Sequence, residues 1–204
     1  MDALLAFAAA LVSLRLAGRM LDRWRQRRGP ELVAWCASLA AFAVASGALA
    51  WGAAAGWNEA AFRVYYLCGG LLTAALLGAG SLLRAGERWA APVALVYTGL
   101  ATGVALAATI HGSFGSDTIP EAQAHLDFFP ARLLAVLGNS LGTIAVVGVA
   151  LLTFRRRPLG NALVVAGVLV AATGSALFGL GIAGTAASLA LAAMLLYGGF
   201  VVRR

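Results

Sequence analysis

Lysine does not occur in this 204-residue chain, so all fifteen basic side chains are arginine. A cofactor carried as a lysine Schiff base is therefore excluded, because no other side chain supplies that amine. Acid is sparse as well. Eight carboxylates stand against fifteen arginines, and only 11% of the chain is charged, where soluble domains carry about 25%. No Asp or Glu falls in the middle of an apolar segment, which argues against proton pumping through a buried carboxylate relay. The two His residues share one polar stretch, which argues against haem slung between buried His pairs. Cys36 and Cys68 sit in separate apolar segments at different expected depths. That puts them beyond the about 7 Å between Cα atoms that a disulfide allows, and they read as small hydrophobes. No HExxH, phosphate-binding P-loop or GxSxG motif occurs.

What the chain has instead is apolar length. It is 62% hydrophobic. Seven apolar segments can be drawn at about 3–22, 32–54, 61–83, 89–110, 131–153, 159–180 and 184–202, each near the ~20 residues that cross a bilayer. The expectation is an all-α membrane protein, one transmembrane domain over 1–204 built as a seven-helix bundle. Thirteen arginines fall at 15–28, 84–88, 155–157 and 203–204. Those stretches are alternate loops and the C-terminus, so the positive-inside bias predicts an N-terminus outside and a C-terminus in the cytoplasm of a bacterial-type inner membrane. The net charge of +7 then reads as anchorage to anionic lipid, with no nucleic-acid partner. Asp2 before the first segment and Arg15, Arg19 and Arg23 after it reverse the polarity of a secretory signal. Trp24, Trp35 and Trp89 are expected at the inner interface, and Trp51 and Trp57 at the outer one.

Small residues fill the spans, with Gly78 and Gly80 in the third, Gly138 and Gly142 in the fifth, and Gly174 and Gly179 in the sixth. Gly138 and Gly142 form a GxxxG, a spacing that lets helix backbones approach. The second and sixth spans also align at an offset of 128. Arg27-Arg28 lies on Arg155-Arg156, Pro30 on Pro158 and Ala48-Leu49 on Ala176-Leu177. One residue of slippage later, Gly69-Gly70 lies on Gly198-Gly199. The pattern suggests two parallel triplets joined by the fourth helix, a 3+1+3 repeat, although Ala/Gly/Leu-rich segments also match by composition. In triplet order the chain resembles the SWEET sugar carriers, where such repeats place a substrate site between the halves. The Pro-Gln type signature of that family is missing. The layout is also similar to microbial rhodopsins and to the seven-helix sensor regions of histidine kinases. Retinal chemistry is excluded by the missing lysine. With RLLAVLGNSLGTIAVVG in the fifth span, the chain resembles uncharacterised bacterial seven-helix membrane proteins.

One loop is long, the twenty residues 111–130 on the expected outer side, and long loops in compact proteins are often functional. Arg63, Tyr66, His111, Arg132 and Asn139 all fall near that side. Converging, they would form a pocket for a small anionic ligand or lipid head group, since guanidinium groups bind carboxylate and phosphate bidentately. Equally, Arg63 can pair with Glu59 and Arg132 with Asp127. Asn139, two turns into the fifth span, needs a partner; Tyr66, Tyr97, Thr98 and Ser175 are the candidates. His111 and His125 with Asp117, Glu121 or Asp127 carry metal-ligating groups but no ligand spacing. Three function classes follow. One is a non-enzymatic carrier or sensor with an outward-facing polar pocket. Another is an accessory subunit, with a membrane-complex partner or a second copy. The third is a membrane enzyme acting on lipid or quinone. The sequence names no cofactor.

Overall fold

The computed structural model describes residues 2–115, 119–176 and 181–201. Asp117, Gly179 and the terminal Arg203-Arg204 pair lie outside them, as does the side chain of Ser175. The described residues are helical, with no strand: α1 (Asp2–Arg27), α2 (Pro30–Ala55), α3 (Glu59–Ala85), α4 (Ala90–Ala107), α5 (Ala122–His125), α6 (Phe128–Leu152), α7 (Pro158–Ala176) and α8 (Gly181–Val201). Five of them, α1 to α4 and α6, are long and apolar enough to cross a membrane.

Local chemistry sets the boundaries. Pro30 opens α2 in the first turn with Glu31 beside it, where a missing N–H costs nothing and negative charge meets the positive end of the helix dipole. Asn58 caps α3 by accepting the Ala61 N–H at 2.9 Å. Gly86 ends α3 at φ 104°, a left-handed position open to glycine. Arg28 ends α1 at φ 54°. The first helix therefore runs to Arg27, five residues past the expected 22, because arginine is a good helix former and needs no lipid to extend it. At the other extreme α4 stops at Ala107, three short of 110, where Ala108 turns extended (φ −61°, ψ 132°).

The helices α1, α2, α3, α6, α7 and α8 pack in a ring, each against the next, and α8 closes on α1. The fourth helix stands outside this ring against α3 and the opening of α6; only Ala90, Ala101 and Ala105 of it are buried. One buried cluster, including Leu49, Trp57, Phe62 and Leu71, fills the end carrying loop 111–130. A second, including Met20, Trp35, Leu77 and Val146, fills the arginine-rich end. Large apolar side chains also cover the outside, Leu95 at 75% and Leu152 at 88% exposed, as expected where lipid is the solvent. Trp51 and Trp89 are exposed, but Trp35 and Trp57 are buried and so are core residues, not members of an interfacial belt. Each ring has a glycine beside it, Gly80 at Trp35 and Gly52 at Trp57, and the missing side chain is what makes room.

The GxxxG works inside the chain. A Cβ on Gly78 would lie 2.6 Å from the Cα of Gly142, so α3 and α6 meet backbone to backbone at this pair. Overpacking costs about 1–3 kcal/mol even where side chains can yield, and backbone cannot. Gly142→Leu is expected to lower the melting temperature in detergent sharply or abolish folded protein. Gly148→Leu, on the same helix with open space around it, should melt like wild type.

Candidate functional site

The α3 helix contains a π-helical stretch, Tyr66–Leu72. Bonds spanning five residues loosen the carbonyl ladder, and such stretches often mark functional positions in helices. In lipid any carbonyl so released must find a protein donor. Here three side chains supply one within the stretch, and a fourth serves the carbonyl just after it. Thr73 Oγ1 donates to Cys68 O at 2.7 Å, Asn139 Nδ2 to Gly70 O at 2.9 Å, Tyr97 Oη to Leu71 O at 2.9 Å, and Ser38 Oγ to Thr73 O at 2.7 Å. Tyr97 also reaches Leu134 O at 3.2 Å. Donors from α2, α4 and α6 thus converge on α3. Gly70 and Gly138 make this geometry possible: the Tyr66 ring packs on the first, and the Tyr97 hydroxyl occupies the space a side chain on the second would take.

The five residues expected to form a pocket each have a local partner. Arg63 donates from Nε and Nη2 to Glu59 Oε1 at 2.9 and 2.6 Å, and from Nη1 to the carbonyls of Ala105 and Leu106 at 2.7 and 3.2 Å. It thereby ties α3 to the end of α4, where a cation meets the negative pole of the helix. Tyr66 donates to Ala131 O at 3.2 Å. Arg132 stacks over Phe128, 5.6 Å from the ring centre, rather than pairing with Asp127. His111 Nε2 lies 3.3 Å from Asp127 Oδ2. Among the described residues no hydrogen bond or ion pair joins any two of the five. The partner of Asn139 is a backbone carbonyl, not one of the side chains expected from sequence. Nothing in the residue pattern marks a π stretch, although the Gly69-Gly70 pair inside an apolar run hinted at irregular backbone.

Loop 111–130 is pinned by its two histidines. The His111 N–H donates to His125 O at 2.9 Å, and His125 Nδ1 lies 2.8 Å from His111 O. A carbonyl only accepts, so Nδ1 carries the proton. The His125 ring is buried between Phe62 and Phe114, with centroids at 5.4 and 4.6 Å. Among the described residues no three His, Cys, Asp or Glu side chains group as a metal site.

A cavity of about 480 Å³ opens between the last turns of α4 and the start of α6. Gly99, Gly103 and Ala107 form one wall, Phe129 and Pro130 the other, and Thr109 and Asp127 the polar rim. None of the five expected residues lines it. Compared with protein-family models, curated proteins and solved structures, the chain matches none. The functional argument therefore rests on this geometry.

The donors to the π stretch carry a prediction. Each net hydrogen bond is worth about 0.5–1.5 kcal/mol in water and averages about 0.6 kcal/mol between membrane helices. Asn139→Leu and Tyr97→Phe should each destabilise the purified protein by about 1 kcal/mol in thermal or denaturant unfolding. The partner of Asn139 is main chain, so no second substitution restores stability by making it apolar.

Proposed function

We propose that the protein is a seven-span membrane protein, N-terminus outside and C-terminus cytoplasmic, that binds an amphipathic ligand without transforming it, as a carrier or a sensor. The observation that carries the ligand reading is the cleft between α4 and α6. Its walls are apolar and glycine-rich, its rim is polar, and its about 480 Å³ lies within the ~300–1,000 Å³ of small-molecule sites. The acid on the rim is Asp127, so an uncharged or zwitterionic polar end suits it better than a simple anion.

The span count is supported by α7 and α8, which at 19 and 21 residues reach roughly 30 Å at 1.5 Å per residue, about one hydrocarbon thickness. The sidedness is supported by the arginine distribution. A periplasmic reporter fused after Arg204 should be inactive and a cytoplasmic one active; the reverse would overturn the orientation. A 3+1+3 repeat is supported by the ring. Exchanging the triplets carries the α1–α2 contact onto α6–α7, α2–α3 onto α7–α8, and α3–α6 onto α8–α1. Pro30 and Pro158, aligned in sequence, also each open their helix.

Gly103 provides the test of the cleft. A Cβ there meets nothing within 4 Å, so Gly103→Leu fills the cleft without a clash. Native mass spectrometry of protein extracted in mild detergent should show an amphiphile adduct on wild type. The variant should melt normally and lose that adduct. Equal adducts on both, or none on wild type, would count against the reading. A second reading, an accessory subunit, draws on the uncovered α4 face, where Val93, Leu95 and Val96 are exposed. A stoichiometric protein partner in the same preparation would favour it.

A further inference from the structure

The first helix carries a ridge of cations with no counter-charge from the rest of the chain. Arg15, Arg19 and Arg23 follow one another four residues apart, so they share a face that winds slowly round α1. Among the described residues none of the three is in an ion pair. The one side chain that meets any of them is Tyr197 of α8, whose ring centre lies 5.9 Å from the Arg19 guanidinium carbon. Asp22, three residues past Arg19, faces Arg25 instead, at 3.7 Å. Helix α8, Gly181–Val201, brings no charged residue to this seam.

Depth separates the three arginines. Helix α1 has 26 residues, and about 20 cross the hydrocarbon. Counted from Asp2, the far boundary falls at about residue 22, beside Arg23. Arg15 lies eight residues before Arg23, about 12 Å deeper at 1.5 Å per residue. It faces lipid: it is exposed, as are its neighbours Leu11 and Leu14 at 51% and 58%. Arg19 and Arg23 can extend to the boundary, as long cationic side chains near helix ends do. Arg15 is worse placed, because a helical side chain leaves its backbone leaning toward the N-terminus, away from the arginine-rich end. Lipid tails offer its five N–H donors no acceptor. A charged group at this depth requires a partner, and the described residues provide none.

The acceptor that a bilayer itself supplies is the lipid phosphodiester. Guanidinium forks match phosphate bidentately, and Arg15 and Arg19, about 6 Å apart along the axis, can flank one phosphate group. The stack of Arg19 on Tyr197 uses the guanidinium face and leaves its N–H edge open. The Tyr197 hydroxyl, which makes no hydrogen bond among the described residues, adds a donor from α8. An ammonium-bearing head group would bring a further cation to the ridge. An anionic head group brings none, and anionic lipid is what basic segments beside a membrane attract.

We propose that the α1 ridge of Arg15, Arg19 and Arg23, with Tyr197 of α8, binds the phosphate of an anionic phospholipid drawn below the membrane boundary. The lipid bridges the α1–α8 seam, where the ring of helices closes. The site rests on α1 and α8 crossing the membrane and is independent of the α4–α6 cleft.

Wild type, Arg15→Gln/Arg19→Gln and a control that loses the same charge, Arg27→Gln/Arg88→Gln, are purified in uncharged detergent. Phosphatidylglycerol and phosphatidylethanolamine are titrated separately, with native mass spectrometry and thermal shift as readouts. Wild type and control should bind phosphatidylglycerol alike, and more tightly than phosphatidylethanolamine. The ridge variant should bind it at least about tenfold more weakly, the least that one lost bond to a charged group implies. If the double variant does not fold, Arg15→Leu takes its place. With a lipid-like side chain it should melt no lower than wild type without lipid, and gain less when phosphatidylglycerol is added. A carbonate wash of membranes separates the two readings. Release of wild type would sink the membrane-spanning reading, whereas retained protein with no lipid preference sinks this site alone. The proposal is also overturned if the control loses as much as the ridge variant, if no ridge substitution changes binding, or if the ridge variant sheds a co-purifying protein while keeping its lipid preference.

Discussion

Lipid donates no hydrogen bonds, and the architecture follows from that constraint. Regular helices satisfy it internally. The π stretch Tyr66–Leu72 draws donors from elsewhere: Tyr97 and Asn139 reach carbonyls within it and Ser38 reaches the next one, Thr73 O, from three different helices. That convergence makes α3 the hub of the bundle. It packs against α2, α4 and α6, and each of those three helices sends a side-chain donor to its backbone.

Close packing is the second constraint. There is little apolar driving force between helices when the solvent is itself apolar, so backbones must approach for dispersion to hold them. Gly78 against Gly142 does this at the α3–α6 seam, and Gly160 against Gly199 does it between α7 and α8. Elsewhere glycines accommodate large rings, Gly80 for Trp35 and Gly52 for Trp57. Among the described residues packing is incomplete at both ends of the bundle, where a cavity opens at each. Their chemistry differs because the charge distribution differs. Arg84, Arg156 and Arg157 are among the residues lining the cavity at the arginine-rich end, and the cleft at the other end is lined mainly by apolar residues with Thr109 and Asp127.

The candidate residues illustrate how far a linear pattern reaches. Arg63 and Glu59, four apart, were legible as a pair, and they form one. That Arg63 also holds the last carbonyls of α4 was not legible, because those carbonyls are free only where the helix ends, at Ala107 rather than at 110. Arg132 and Asp127 looked like an equivalent pair, but the extended Phe129 between them turns the chain, and Arg132 lies on Phe128 instead. The need of Asn139 for a partner was readable from its depth. Its partner was not, since main-chain irregularity leaves no residue signature.

The sequence by itself determined the helical class, the apolar segments within a few residues, and the separation of charge between the two ends. Each follows from local quantities: side-chain hydrophobicity summed over a turn or two, and the cost of placing arginine in lipid. Tertiary structure decided which helix lies outside the ring, which glycines face backbone, which tryptophans are core, and that Arg84 meets Arg156 and Arg157 around one cavity. These depend on contacts between residues far apart in the chain, and such contacts are set by the shape complementarity of whole helix faces, which no local pattern encodes.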